Sequence, residues 1–321
     1  ARRGWLYTTD MNPASKPAFK NKQWNHYRIE CFGPDIRTWV NGVPVSHLID
    51  NETLKGFVGL QMHSNNPTDP IGPGAHQIRF RNIRIQTTNL KPSPPDDIFV
   101  VNLIPNDLSA KEKKQGYALL WDGKTVQQWG GANQTPFPTD AWEINNGELT
   151  IRAAKGQTGA LPKSLFTKKQ YGAFELKFEF KLTEGADSGV KYLLANSDES
   201  QSNQGLEFQI QDDTKPSDMT KEEASKHTLA SLNGLLASQQ SFWVKRKIGV
   251  WNNAMIRVYP DNRIEHWLNG FKMLEFQQDS PAYASLMATL PTGGKAAKGF
   301  IMLENRGYPV SYRSIKIKEL R

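Results

Sequence analysis

The chain has 321 residues, a formal net charge of +8 and 38% hydrophobic residues, enough for two domains of ordinary size with aromatic-rich cores. No run approaches the roughly 18 consecutive apolar residues of a membrane-crossing helix, and a single cysteine, Cys31, excludes an internal disulfide and a multi-cysteine metal site. The basic excess alternates with acids (Lys221, Lys226, Lys245, Arg246, Lys247) without an arginine–aromatic recognition motif, which reads as a solvated surface and not a nucleic-acid groove.

The opening residues, "ARRGWLYTTD", lack the apolar core of a secretory leader. "KQWNHYRIECFGPDIRTWVNG" (22–42) follows, and its Asn41-Gly42 pair favours the left-handed conformations of a tight hairpin. "NLKPSPPDD" (89–97) is proline-rich and reads as a linker. Beyond it, "FELKFEFKL" (174–182) alternates apolar and charged residues, as a half-buried strand does. "GLEFQIQ", "AMIRVYP", "RIEHWLNG", "KGFIMLEN" and "VSYRSIKIKEL" read the same way, separated by turn residues such as Asn145-Asn146-Gly147, Pro260-Asp261-Asn262 and Asn269-Gly270. One helix is predicted at "MTKEEASKH", where Thr220 caps and Glu223 stands three residues on. Alternating strands at this spacing predict an all-β, antiparallel sandwich.

Part of the chain repeats. Residues 22–42 align with "GVWNNAMIRVYPDNRIEHWLNG" (249–270), "GFVGLQMH" (56–63) with "GFIMLENR" (299–306), "IRFRNIRIQ" (78–86) with "VSYRSIKIK" (310–318), and "GWLYTTD" falls opposite "SLNGLLA". Such ordered self-similarity predicts two copies of one fold. The segment from about Gly116 to Lys226 has no counterpart upstream. The expected organisation is therefore the C-terminal half of a first sandwich over 1–90, a proline-rich linker over 91–115, and a complete second sandwich over 116–321. Half a sandwich leaves strand edges open, so the missing strands are expected from an absent N-terminal half or from another subunit.

"GYALLWDGKTVQQWGG", "WEINNGELTI", "LFTKKQYGAFELKFEFKLTEGADSGVKY", "GLEFQIQDD", "RIEHWLNGFKMLEF" and "GFIMLENRGYPVSYRSIKIKEL" succeed one another in an order that resembles the 3-keto-disaccharide hydrolase family. The resemblance covers Gly116 to Arg321, and Trp5 to Gln86 resembles the family's second half. It implies a concanavalin A-like jelly-roll of the lectin and glucanase type, carbohydrate as partner, and action on sugars whose 3-hydroxyl has been oxidised to a ketone. It also implies a secreted or periplasmic bacterial protein.

In "GLEFQIQDD", strand alternation places Leu206, Phe208 and Ile210 on one face and Glu207, Gln209 and Gln211 on the other. A carboxylate flanked by amides suits sugar binding and proton transfer; the same row also suits an ordinary solvated strand face. The family carries a corresponding glutamate at Glu207, which favours a site. Glucanases of this fold that retain configuration use two carboxylates, four residues apart on one strand. Here Gln211 stands at that spacing, and an amide cannot be the nucleophile, which argues against ordinary double displacement. A ketone at C3 acidifies the C2 hydrogen, and one general base, Glu207, then suffices for elimination at C1 and addition of water.

The family's penultimate strand ends in a Gln-Asp-His-Gly-like run. Gln61 and His63 match it upstream, whereas the second copy carries Glu304, Asn305 and Arg306. Tyr7 matches a family tyrosine that is Asn233 in the second copy. Glu207 and His63 are thus the catalytic candidates. Gln209, Gln211, Asp212, Trp267, Asn269, Glu304, Arg306, Tyr7, Gln61 and Trp39 are the substrate-binding ones, and Asp187 replaces the asparagine of the family's Asn-Ser-Gly turn. The two tryptophans enter because indole faces stack on sugar rings, although tryptophan in a sandwich also serves the core. No cofactor is expected; Asp212, Asp213 and Asp218 offer oxygen ligands for calcium without the spacing of a defined loop. The alternative to an enzyme is a non-catalytic carbohydrate-binding or structural tandem module with a degenerate site.

Overall fold

The computed structural model describes residues 11–61, 78–153, 163–200, 205–214, 219–239, 244, 246–287 and 297–321. In chain order the strands are β1 (Tyr27–Phe32), β2 (Asp35–Val40), β3 (Val43–Ile49), β4 (Val100–Asn102), β5 (Ala118–Leu119), β6 (Trp129–Gly130), β7 (Trp142–Asn145), β8 (Glu148–Ile151) and β9 (Leu165–Thr167). They continue with β10 (Phe174–Leu182), β11 (Asp187–Leu194), β12 (Leu206–Gln211), β13 (Asn252–Val258), β14 (Arg263–Leu268), β15 (Phe271–Gln277), β16 (Phe300–Glu304) and β17 (Val310–Glu319). Among the described residues the α-helices are short: α1 (Ala110–Lys114), α2 (Lys221–Ser225) and α3 (Pro281–Met287).

Two antiparallel sheets enclose the main core. One runs β15-β14-β13-β10-β17-β8-β7 with β5 beside β17, and the other β12-β11-β16-β9-β6. Alternation explains which face each strand buries. On β10, Phe174, Leu176, Phe178, Phe180 and Leu182 point into the core, where they meet Phe208 and Ile210 of β12, Tyr312 of β17 and Trp142 of β7. Each such aromatic or aliphatic side chain stabilises by about 1.5–3 kcal/mol on leaving water. The expected antiparallel jelly-roll sandwich is the fold of this part of the chain.

A smaller sheet, β1-β2-β3-β4, holds the upstream region, with β3 and β4 parallel. Here the two Trp-x-Asn-Gly turns can be compared. Asn41 and Gly42 have φ of 50° and 83°, and Asn269 and Gly270 have 49° and 85°, the left-handed pair that a tight hairpin requires. Each ladder shifts register just before the turn, at Thr38/Trp39 and at His266/Trp267. Each asparagine Oδ1 accepts from a backbone N–H at the start of the neighbouring strand, His26 at 2.8 Å and Asn253 at 2.9 Å. Each Nδ2 donates to a neighbouring asparagine at 2.8 Å and to one more carbonyl, of Ala18 or Val244.

The covering differs. β13 is largely buried, whereas β1 is exposed along nearly its whole length. Residues 51–61 and 78–91 form no strand, and Phe57, Val58, Leu60, Ile78, Phe80, Ile83 and Ile85 stand in solvent. These segments align with β16 and β17 in sequence but, among the described residues, have no neighbouring strand to take their backbone hydrogen bonds.

The connection over 91–115 is built. Asp96 bridges Arg37 and Lys111, and Ser109 and Glu112 form a capping box at the start of α1. Glu112 is fully buried and pairs with Lys316 of β17 at 2.7 Å while accepting from Asn102 at 3.0 Å. This helix carries an S-x-x-E signature that the sequence reading passed over. The helix predicted at 219–227 is α2, with Thr220 Oγ1 accepting from the Glu223 N–H.

Candidate functional site

Glu207 on β12 pairs across to Lys191 on β11, Gln209 to Gly189, and Gln211 to Asp187; Gly189 pairs on its other side with Glu304 of β16. Leu206, Phe208, Ile210, Val190, Tyr192, Ile301 and Leu303 fill the core. The pleat therefore collects Glu207, Gln209, Gln211, Asp187, Lys191 and Glu304 on the outer face of the five-stranded sheet. A Cβ at Gly189 would meet the Glu207 Oε1 at 2.3 Å and Cγ at 2.8 Å, so a larger residue there would displace the Glu207 side chain. The Glu207 side chain lies across bare backbone.

Residues 226–238 fold over one edge of this strip. Gln209 N donates to Ser231 O at 3.2 Å, Ala230 N to Gln209 O at 2.9 Å, and Asn233 N to Glu207 O at 3.1 Å. The polar row is consequently not open to solvent as alternation alone suggested. Glu207 is 7% exposed and Gln209 1%.

Charges crowd this small space. Glu207 Oε1 accepts from Arg306 Nη2 at 2.9 Å, and Oε2 accepts from Asn233 Nδ2 at 3.0 Å. Lys191 Nζ lies 3.7 Å from Glu207 Oε2 and 2.8 Å from Glu304 Oε1. Arg306 also reaches Asp187 Oδ1 at 2.7 Å and Glu304 Oε2 at 2.7 Å, the latter an ion pair not aligned as a hydrogen bond. Gln209 Nε2 donates to Asp187 and Gln211, leaving its buried Oε1 without a donor among the described residues.

Burial, and then the adjacent Glu304 carboxylate, push the Glu207 carboxyl up to about 7 against the pull of Arg306, Lys191 and Asn233. Burial works against the charge on Arg306, but Glu207, Glu304 and Asp187 outweigh it and hold the guanidinium protonated. A carboxyl that exchanges its proton near neutrality beside two fixed cations can abstract an acidic C–H and stabilise the resulting oxyanion.

The structure thus brings together Glu207, Gln209, Gln211, Glu304, Arg306 and Asp187. Lys191 was missed. Lys191 reads in "GVKY" as one more strand residue, and only cross-strand register reveals its partners. Asp212 departs from its expected substrate role: its oxygens accept from Gly185 N and from Thr214 N and Oγ1, a turn-forming duty at the strand end.

Trp267 and Asn269 are corrections. They stand on or just after β14 in the opposite sheet, and the core separates them from Glu207. His266, their neighbour, points inward to Tyr192 Oη at 2.8 Å and Ala230 O at 3.1 Å, and burial pushes its pKa down to about 4. Trp267 is turned outward and donates to Glu265 Oε2 at 2.9 Å. With Asn269 it lines a cavity of about 360 Å³, roofed by residues 99–103, on the far side of the molecule from Glu207.

Trp39 also lies elsewhere, on β2, buried and flanked by the Arg28 and Arg37 guanidinium groups at 4.4 and 4.9 Å from the ring centre. Gln61 is exposed and outside any strand. Tyr7 and His63 lie outside the described residues, as does Asp218. Among the described residues no group of three or more histidine, cysteine or acidic side chains could hold a metal ion. Asp213 accepts from the Leu229 N–H with both oxygens. No helix of the described residues is long and apolar enough to cross a membrane.

Comparison with known proteins gives a consistent result. The profile of the 3-keto-alpha-glucoside-1,2-lyase-like domain matches residues 1–86 and 116–318. A 3-keto-disaccharide hydrolase of Bacteroides thetaiotaomicron is 27% identical over 234 residues, 64% of this chain and 79% of that protein. A crystal structure from Parabacteroides distasonis, provisionally assigned as a glycosyl hydrolase, superposes with a TM-score of 0.60. It is 24% identical and covers 68% of this chain and 100% of its own, which establishes likeness of fold.

Proposed function

The chain belongs to the 3-keto-alpha-glucoside-1,2-lyase-like family, a glycoside-hydrolase-like group of carbohydrate-active proteins, and from that premise we propose that Glu207 is the general base of a 3-keto-glycoside-cleaving site. The observation that carries the reading is a buried carboxylate poised near neutrality with Arg306 at 2.9 Å and Lys191 at 3.7 Å.

In this reading Glu207 accepts the C2 proton of a sugar whose C3 is a ketone. The C2–H electron pair passes into an enolate whose negative C3 oxygen is held by the Lys191 and Arg306 cations. The enolate collapses, C3=O re-forms, a C1=C2 double bond appears, and the C1–O bond breaks. The departing alkoxide takes the proton that Glu207 removed from C2, which restores the carboxylate. Addition of water across C1=C2 completes hydrolysis; without it the reaction is a lyase reaction. No second carboxylate nucleophile is needed, in keeping with Gln211 at the glucanase nucleophile spacing.

The test is release of monosaccharide from a 3-keto disaccharide beside the same disaccharide unoxidised. Release from the keto sugar alone is expected, and Glu207→Gln is expected to lower kcat by about 10²–10⁴-fold. Full activity of Glu207→Gln would overturn the assignment.

A second reading has its own support. Both Glu207 oxygens are already engaged, by Arg306 and Asn233, and Arg306 stands where the family's run places a histidine. An arginine cannot deliver a proton at neutral pH. A sugar-binding site without turnover would show saturable glycan binding and no release from either disaccharide.

A further inference from the structure

His227 follows α2 at the margin of the site, with its side chain 29% exposed and outside the hydrophobic core. Two hydrogen bonds in series join it to Glu207. Its Nδ1 lies 2.7 Å from Asn233 Oδ1, and Asn233 Nδ2 donates to Glu207 Oε2 at 3.0 Å. On the far side of the ring, Nε2 lies 3.6 Å from Glu223 Oε1, and Lys226 pairs with the same glutamate at 3.2 Å.

With the Asn233 amide placed Oδ1 towards His227 and Nδ2 towards Glu207, the donor and acceptor roles along this line follow. An amide oxygen only accepts, so His227 Nδ1 carries a proton and donates it. An amide nitrogen only donates, so with its oxygen taken by the imidazole, Asn233 aims its NH₂ at the carboxylate. Turned over by half a rotation, the same amide would present oxygen to Glu207 and withdraw a donor from its charged form. The Asn233 backbone is already fixed by its own bond to Glu207 O at 3.1 Å. The flip of one side chain is what remains to be controlled, and His227 controls it.

We infer that His227 is a positioning residue for Glu207, acting through the orientation of the Asn233 amide. The role rests on Glu207 being the working carboxylate of the site. The groups facing Glu207 are Glu304, Arg306, Lys191 and Asn233, with Asp187 behind Arg306; the charged group facing His227 is Glu223.

The experiment titrates the Glu207 carboxyl by carbon-13 NMR, with Glu207→Gln assigning the signal, a readout that needs no turnover. His227→Phe is expected to raise the midpoint by about half a pH unit or more, since the bond from Asn233 favours the ionised form. It is also expected to lower kcat about fivefold to tenfold with KM unchanged, moving the acid limb of the pH–rate profile by the same amount. His227→Asn, which keeps a donor near the Nδ1 position, is expected to restore both values. In an Asn233→Ala background, changing His227 is expected to shift nothing further.

An unmoved midpoint in a folded His227→Phe protein overturns the inference, and so does a His227 effect that persists without Asn233. If His227→Phe fails to fold, His227→Ala, which removes the donor to Asn233 Oδ1 with a smaller side chain, carries the same test of the midpoint. If the wild-type protein releases no sugar while the midpoint still moves, the enzyme reading fails and the positioning stands.

Discussion

Two hairpins in this molecule share a turn and differ in almost everything that surrounds it. Around Asn41 and around Asn269 the left-handed dihedrals, the register shift and the three asparagine hydrogen-bond roles coincide nearly bond for bond. Yet Ile29 on β1 is 65% exposed, whereas Ile256 on β13 is completely buried. The turn is a local object, specified by an asparagine and a glycine that tolerate positive φ. Strand burial is a property of neighbours, and β13 has β10 at its side while β1 has no strand beyond it among the described residues.

The sharpest way to break that comparison is to remove core on both sides. Phe208→Ala should cost about 3–5 kcal/mol, because a fully buried ring leaves a cavity. Ile29→Ala should cost less than about 0.5 kcal/mol. Denaturant unfolding at constant m-value measures both, and a cost above about 1 kcal/mol for Ile29→Ala would show that β1 is covered in solution.

The turns themselves come next. Asn269→Ala leaves the Asn253 N–H, the Asn252 side chain and the Val244 carbonyl without their buried partner and should cost about 2–3 kcal/mol. Asn41→Ala removes the equivalent bonds at a site open to water and should cost about 1 kcal/mol or less. Equal costs would mean that the two turns do equal structural work despite their different cover.

The last contrast lies in pH dependence, where the two regions have opposite signs. Glu207 has its folded pKa raised from 4.5 to about 7. Its contribution is present below pH 4.5 and is lost as pH rises through 7, because the unfolded chain ionises first. Glu30, on exposed β1, has its folded pKa lowered: slight burial opposes the shift, and Ser93 and Arg28 outweigh it. Its contribution is present above pH 4.5 and is lost as pH falls below that value. Against wild type, Glu207→Gln should therefore gain relative stability as pH rises from 4.5 to 7. Glu30→Gln should lose its relative deficit as the medium is acidified. A parallel profile for the two variants would contradict the placement of one of them.

Much of this was legible before any coordinates. Alternation in "FELKFEFKL" and "GLEFQIQDD" assigned faces correctly, and the Asn-Gly pairs marked both hairpins. Glu207, Gln209, Gln211, Glu304 and Arg306 were named from the strip and from the family's run, and they do converge. Lys191 was not, because its meaning depends on standing opposite Glu207 and beside Glu304, a matter of register between strands far apart in sequence. His227 was passed over for a related reason: it follows a short helix and reaches the site only through Asn233. Trp267 and Asn269 were assigned to the wrong side of the molecule. An Asn-Gly turn announces a hairpin but carries no information about which sheet receives it, and strand alternation sends His266 inward and the Trp267 indole outward.

The connection over 91–115 has a mechanical consequence. A hinge works when a few backbone bonds can rotate without breaking contacts, and this segment offers few that can. Asp96 is clamped between cations on two elements, Val100–Asn102 is zipped to β3, and Glu112 is plugged into Lys316 beneath the helix it caps. Its prolines stiffen what the ion pairs anchor. Load applied to the small sheet is therefore handed to β17, between β10 and β8 in the large sheet, through a strut whose two ends must move together.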